Sequence, residues 1–387
     1  MNNNSSYKWV VLAFSFFLMI GFALSLQALP PLFEHITKTI HFSNSQAGIL
    51  MGAYAIPGIF LPFLIANLTK RFGIKRMLIA ALIIMIFGLV SFSFANSYLL
   101  LLILRLLAGV GATVLVVLSP LMITIYFDRK NIGVGMGIFN IAVPLGTVLA
   151  ANLIGLLITY VSWQIIILGI AVFLGIIFIL LIFILKLDKE ADNSAEKLPT
   201  QIKGNFNLWF LAAIWALANA QMLAYMTFGS QFFQTNGFPT QSAGFLTSLI
   251  MLISIFLAPL VGILFDKSSK KKFYLIMGVV ITFVSFIFIG FNFLNITIWA
   301  VALGIGFTPI PVFVFTQLPE MVKAHEVGIG LGILTMTSNI GTSMGPAALG
   351  LIVDLSKGKF LVAFISLAII SLIVLFFSLK INLLKKR

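Results

Sequence analysis

Cysteine is absent from all 387 residues. That excludes disulfides and thiolate metal sites, and it leaves the redox compartment unread. Charge is scarce: 9% of residues are Asp, Glu, Lys or Arg, against about 25% in an ordinary soluble domain. Acid is scarcer than base, at 10 residues against 24. Glu34, Asp128, Asp188, Glu190, Asp192, Glu196, Asp266, Glu320, Glu326 and Asp354 all fall in loops or at the ends of apolar runs, which argues against a buried carboxylate proton relay. His35, His41 and His325 are peripheral too, so no set of metal ligands gathers within the apolar runs. No phosphate-cradling glycine loop followed by lysine is present, so ATP is not the direct energy source. No catalytic residue and no cofactor is expected, and the chain does not read as an enzyme.

What is present is apolar side chain, 61% of the residues. A water-soluble core of this length cannot hide that much, so most of it faces lipid. A spanning helix needs about 20 mostly apolar residues. Runs of that kind fall near 9–29, 45–66, 77–96, 98–126, 132–158, 163–185, 208–230, 241–265, 273–293, 297–319, 327–353 and 359–381. The first exceeds the apolar stretch of about 7–15 residues in a signal peptide and has a counterpart in the second half, so it reads as a retained helix. Interior prolines do not veto these helices, because neighbouring helices satisfy the freed carbonyls within a bundle. The one long polar stretch, 186–207, reads as a flexible linker.

The net charge of +14 points to topology and not to nucleic acid. Lys70, Arg71, Lys75, Arg76, Arg129, Lys130, the linker lysines, Lys267, Lys270, Lys271, Lys272 and the C-terminal basic residues share one side, with Lys38, Lys357 and Lys359 opposite. The positive-inside rule puts both termini in the cytoplasm.

The two halves repeat at an offset of 195 or 196 residues. Gly133, Gly135, Gly137, Gly146 and Gly155 fall on Gly328, Gly330, Gly332, Gly341 and Gly350, and Gly109 and Gly111 fall on Gly304 and Gly306. The segment QAGIL from Gln46 matches SAGFL from Ser242. Duplicated six-helix bundles around a central site describe one transporter architecture.

Two loops carry a motif. ANLTKRFGIKR, Ala66 to Arg76, and GILFDKSSKKK, Gly262 to Lys272, sit at matching places. In the fourth run, RLLAGVGAT begins at Arg105. On these residues the chain resembles the major facilitator superfamily over essentially its whole length. The resemblance implies a latch on the cytoplasmic side, carried here by Arg71, Gly73, Lys75 and Arg76 and by Gly262, Asp266 and Lys267. Ala66 and Lys70 depart from the family pattern in the first loop, as does Ser269 in the second, so only the second copy keeps its carboxylate. Gly341, Gly345, Pro346 and Gly350 resemble the family's fifth-helix motif, displaced to the eleventh helix. The fifth keeps the weaker form Gly146, Ala150, Ala151 and Gly155. Close helix packing through small residues is the plainest role for these glycines and for Gly109.

Arg105 is the one charge well inside a run, and burying it costs at least about 2.5–3.5 kcal/mol on insertion scales. It shares a face with Gly109 and Ala112, which turns it inward. Three roles stay open: it binds a substrate anion or takes part in coupling, it bonds to first-helix carbonyls and Gln27, or it reaches outward to Glu34. Thr113, Asn140, Asn219, Thr308 and Asn339 lie near mid-depth, with Gln221 and Tyr225 extending the seventh helix's polar face. With Gln27 and Arg105 they form the candidate substrate-binding set.

The expectation is an all-α membrane protein with twelve transmembrane helices in two pseudo-symmetric six-helix bundles, 1–185 and 208–387, joined by a cytoplasmic linker at 186–207. It sits in the inner membrane as a monomer, with the lipid bilayer, a small-molecule substrate and a coupling ion as partners. One permanent positive charge and no negative one favour an anionic solute, and GIFNIAVPLG near the fifth helix resembles the superfamily's organic-anion branch. The leading function is therefore transport of a small organic anion by alternating access. Proton-coupled drug export and a non-transporting membrane sensor are the alternatives.

Overall fold

The computed structural model describes residues 7–128, 131–186, 205–268, 270–323 and 326–381. Most of the expected linker, 187–204, lies outside the described residues, as do Arg129, Lys130, Ser269, His325 and the C-terminal basic residues.

Among the described residues the regular structure is helical. It consists of α1 (Tyr7–Gln27), α2 (Leu29–Thr39), α3 (Asn44–Ala53), α4 (Pro57–Phe72), α5 (Ile74–Ser93), α6 (Tyr98–Tyr126), α7 (Ile132–Leu149) with a π-turn (Ala150–Ile154) and α8 (Gly155–Leu157), α9 (Trp163–Ile184), α10 (Phe206–Thr235), α11 (Thr240–Lys267), α12 (Lys271–Gly290), α13 (Ile296–Phe307), α14 (Pro309–Met321), α15 (Val327–Leu355) and α16 (Phe360–Lys380). Ten of these helices are long and apolar enough to cross a membrane, and the bent pair Asn44–Pro62 and Leu64–Phe72 makes an eleventh. The twelfth is α15, helical over 29 residues but rich in Gly, Ser and Thr. Twelve spans in two bundles result, the architecture expected from the runs.

The breaks have local causes. Helix α2 opens on Leu29-Pro30-Pro31, where missing proline N–H groups do no harm in a first turn. The helix therefore resumes after a turn at Ala28 and runs on to Thr39, beyond the apolar run that ended at residue 29. The second span breaks at Tyr54–Ile56, ahead of Pro57. Thr308 separates α13 from α14 ahead of Pro309. Between α4 and α5, Gly73 has φ of +83°, a left-handed conformation that costs glycine nothing.

The chain divides into two compact units. One holds α1, α2 and α4–α9. The other holds α10–α16 together with Ser43–Gly52, the start of the second span.

Each unit repeats the other's contacts. A Cβ on Gly109 would strike the Tyr54 carbonyl, and one on Gly304 would come within 3.0 Å of the Leu249 carbonyl oxygen. Gly111 lies against the Ala81 carbonyl, and a Cβ on Gly306 would lie 2.8 Å from that of Gly278. A Cβ on Gly146 would lie 3.1 Å from the Ile20 oxygen and 2.7 Å from the Ala23 Cβ, while Gly341 abuts the Ala216 carbonyl directly. Thr113 Oγ1 donates to the Gly109 oxygen at 2.8 Å, and Thr308 Oγ1 to that of Gly304 at 2.7 Å. At the other end, Lys75 Nζ donates to the Ile182 and Leu185 oxygens at 2.9 and 2.6 Å, and Lys272 Nζ to those of Leu379 and Ile381 at 2.8 and 2.9 Å. These lysines hold the last carbonyls of α9 and α16, where helix ends leave acceptors open and favour cations.

Candidate functional site

In the first unit the site is built on Arg105, 2% exposed. Its Nη1 donates to the Ser25 oxygen and its Nη2 to the Leu26 oxygen, both at 2.7 Å. The sequence explains the second bond. Proline has no N–H, so Pro30 leaves the carbonyl four residues back, that of Leu26, without its helical donor. In hydrocarbon such a group costs several kcal/mol unless something else donates to it, and the guanidinium does. The Tyr54 ring lies 4.3 Å from the guanidinium carbon, in cation–π contact. Phe22 backs that ring at 5.8 Å. Tyr54 opens the turn between α3 and α4, so a single cation serves two helix breaks. Gly109, one turn on, leaves room for the Tyr54 backbone.

Gln27 is buried in the last turn of α1. Glu34 pairs with Lys38 at 3.0 Å on an exposed face of α2. Asn140 is exposed on α7.

In the second unit, Gln221 Nε2 crosses from α10 to α16, donating to the Leu367 oxygen and Ser371 Oγ, both at 2.6 Å. Tyr225 is 1% exposed, packs on Phe286 and Phe364, and reaches the Leu246 oxygen at 3.4 Å. Asn219 Nδ2 donates to the Trp215 oxygen at 2.7 Å, and Asn339 Nδ2 to that of Thr335 at 2.8 Å. Thr308 meets Ser254 at 2.9 Å. Gln221, Tyr225 and Thr308 thus spend their polar atoms on packing inside their own bundle. Gly341 and Gly345 seat α15 on the Ala216 and Ala220 carbonyls of α10.

Among the loop residues, Lys75 is committed to the end of α9 and Gly73 to the turn. Arg71 lies over the Phe72 ring at 5.3 Å. Arg76, Asp266 and Lys267 are exposed, and Gly262 faces open space. Tyr54 was missed by sequence reasoning, although its place one residue past an unbroken MGA segment and three before proline marks it. Lys272 was read as loop charge, although its offset of 197 from Lys75 gives it away.

The Major Facilitator Superfamily model matches residues 13–346 and, overlapping, 234–385. The chain belongs to that superfamily. It is 23% identical to the human lysosomal dipeptide transporter MFSD1, over 96% of this chain and 86% of that one. It is 24% identical to a nitrite extrusion protein of Bacillus subtilis, over 88% and 86%. Among solved structures, a bacterial homolog of the human lysosomal transporter Spinster superposes with a TM-score of 0.80 at 15% identity, over 99% of this chain and all of that one. The nucleoside transporter NupG gives 0.79 at 14%, over 98% and 99%. The chain is a multi-pass membrane transporter of this superfamily and not an enzyme.

Proposed function

We propose that this transporter moves a small organic anion, a solute presenting a carboxylate or similar group, by alternating access of its two bundles. The observation that carries the reading is electrostatic. Arg105 places a permanent positive charge inside a span, whereas Asp266, Glu320 and Asp354 stand near helix ends and Glu34 pairs with Lys38 on an exposed face of α2. Two carbonyl oxygens accept from that guanidinium and stabilise its charge. In a low-dielectric interior a cation attracts anions over a longer range than in water. The relatives fit: nitrite is an anion, and a dipeptide ends in a carboxylate.

In this reading the substrate meets Arg105, Gln27, Thr113, Asn140, Asn219 and Asn339, with Asn140 the most available by exposure. Gln221, Tyr225 and Thr308 hold the wall behind it. The bundles are 1–185 and 208–387 with the linker at 186–207. Both termini face the cytoplasm, and the chain works as a monomer in the inner membrane by symport, exchange or uniport. The two basic loops latch the cytoplasmic side.

Uptake into proteoliposomes tests the proposal, with radiolabelled monocarboxylates, dicarboxylates, dipeptides and nitrite under an imposed potential. Saturable uptake of an anion is expected, abolished in Arg105→Gln and partly kept in Arg105→Lys, with gel filtration verifying the fold of each variant. Uptake confined to lipophilic cations would instead favour drug export, and saturable ligand binding without transport would favour a sensor.

A further inference from the structure

One turn of the second unit is built unlike its neighbours. Helices α10, α12 and α15 end at the same face of that unit, because successive spans alternate in direction, and all three close with one cap. Phe238 N donates to the Phe233 oxygen at 3.1 Å, Phe293 N to that of Phe288 at 3.0 Å and Gly358 N to that of Val353 at 2.9 Å. The residue before each donor is left-handed: Gly237 at φ +86°, Asn292 at +51° and Lys357 at +56°. This is the left-handed stop common at helix C-termini. After the stop the turns part. The α15 turn has a second left-handed residue and uses glycine for it, Gly358 at φ +79°. The α12 turn uses leucine, Leu294 at φ +57°. A leucine there is strained, because its Cβ crowds the following carbonyl oxygen, and its side chain is 71% exposed.

The residues around Leu294 are fixed in place. Phe293 stacks on Phe288 with ring centres 5.0 Å apart, and Phe288 meets Trp299 at 4.4 Å. Trp299 Nε1 donates to the Phe293 oxygen at 2.9 Å. Asn295 Oδ1 accepts from Thr297 N at 2.9 Å and caps α13. Phe291 N and Asn292 N donate to the Ile287 and Ile289 oxygens, both at 3.0 Å. These donors are all met by acceptors of the turn and its two helices. Phe291, Phe293 and Ile298 nevertheless stand 59%, 49% and 59% exposed. No charged residue lies between Lys272 and Glu320. The α15 turn is the opposite case, with Lys357 and Lys359 both exposed.

We infer that residues 291–299 form a lipid anchor, sunk below the aqueous surface with Phe291, Leu294 and Ile298 at the boundary between headgroups and acyl chains. An apolar side chain turned outward on strained backbone is unfavourable twice over in water. Against acyl chains its burial offsets the strain. A turn can leave water only where its backbone groups find partners within the protein, and the bonds around Phe293 supply them. Tryptophan is enriched at this depth, and the amides of Asn292 and Asn295 suit the headgroup side. The occupant is lipid because the turn joins two consecutive spans and so stands at the height of the bilayer surface. The α12–α13 end of the unit is thereby fixed in depth, while the α15 turn stays in water. The anchor is independent of the substrate and of Arg105.

Absence of native cysteine lets single labels report depth. Leu294→Cys, Phe291→Cys and Lys357→Cys, each carrying a nitroxide, are reconstituted in phosphatidylcholine vesicles. Power saturation then reads how often each label meets oxygen, which concentrates in hydrocarbon, and a nickel chelate, which stays in water. The labels at 294 and 291 are expected to meet oxygen more often, at a depth of about 5–10 Å, and the label at 357 to meet the chelate more often. Preference for the chelate at all three positions would overturn the anchor. So would labels at 294 and 291 that meet neither reagent, the signature of a covering protein or a second copy. Where Leu294→Cys fails to fold, Phe291→Cys decides alone by the same comparison with Lys357→Cys. No substrate is needed, so failure here and failure of the anion reading are separate results.

Discussion

The two halves repeat each other's glycine contacts and lysine caps, yet differ at the helix that opens each one. In the first half that helix is interrupted by Pro30 and Pro31, and Arg105 crosses from α6 to hold the Leu26 carbonyl. In the second, α10 runs 30 residues without interruption. The position that repeats Pro30 holds Met226, and the one that repeats Arg105 holds Ala300. Cation and proline are thus present together or absent together. The difference teaches that Arg105 has a structural task set by the break, whatever it also does for a substrate. An unbroken helix supplies its own donors and needs no buried charge.

The sharpest way to break this comparison is to uncouple the pair. Arg105→Ala strips a charged donor from two carbonyls and should cost about 1.5–3 kcal/mol of unfolding free energy, measured as lost resistance to denaturant in micelles. Adding Pro30→Ala returns an N–H to the Leu26 carbonyl and should recover part of that loss. A double-mutant cycle with no coupling would show that the arginine and the proline are unrelated. Recovery of stability without recovery of transport would separate the structural task of Arg105 from the proposed electrostatic one.

A second difference is one of room. Gly109 has the Tyr54 carbonyl directly in the path of a Cβ, a rigid obstacle. At its repeat Gly304 the obstructions stand farther off, Ile253 Cδ1 at 2.8 Å, Ile253 Cβ at 2.9 Å and the Leu249 carbonyl oxygen at 3.0 Å, against 2.4 Å for the Tyr54 oxygen at Gly109. Gly109→Ala should therefore cost about 1–3 kcal/mol, as overpacking does, and Gly304→Ala clearly less. Thermal unfolding of the two variants side by side checks the order. The reverse order would mean that the Tyr54 turn yields more readily than a packed isoleucine.

How much of this was legible beforehand follows from the range of each interaction. The spans were readable because apolar run length responds to bilayer thickness, and the repeat because small residues are fixed wherever backbones touch. Gly109, Gly111 and Gly146 were found that way. The interruptions were not placed, because a proline inside an apolar run reads equally as a tolerated kink, a first turn or a break. Pro30 and Pro31 became a first turn, whereas Pro120 stays inside α6. Arg105 announced itself by charge, but its partners are main-chain carbonyls some 80 residues away, and carbonyls carry no sequence signature. Asp354 was set aside as a terminal acid for the same reason: two of its three donors are backbone N–H groups 309 and 310 residues distant. Gln221 looked like a cavity group because it is polar at mid-depth. Its depth is equally that of Leu367 and Ser371 on α16, to which it bonds.

Gln221 supplies a milder test. Replacing it with leucine removes two hydrogen bonds but keeps bulk where Ser371 can still turn to the Leu367 oxygen, 3.5 Å away. Polar contacts in membrane bundles average about 0.6 kcal/mol by double-mutant cycles, so Gln221→Leu should shift stability by about that much. Transport at unchanged KM in this variant would fit a wall residue, whereas a raised KM with intact folding would return Gln221 to the substrate.

The smallest expected effect is the one that tests the symmetry itself. Lys75 and Lys272 stand at the starts of α5 and α12, are partly exposed, and each donates to two carbonyls at the end of its own bundle's last helix. Cations near a helix C-terminus contribute about 0.3–1 kcal/mol. Lys75→Met and Lys272→Met should each lower stability by about that amount, and equally, because methionine keeps the apolar stem and removes only the donors. Salt should weaken the wild-type advantage at both sites alike, since both lie within reach of solvent ions. Equal losses would mean that this end of the duplication still performs one shared task, leaving the divergence at Pro30 and Arg105. A loss confined to Lys75 would instead give the first loop a task that the second copy lacks. Measuring transport together with stability in both variants tells these outcomes apart: a fall in transport larger than the stability change, at Lys75 alone, is the signature of a moving part and not of a cap.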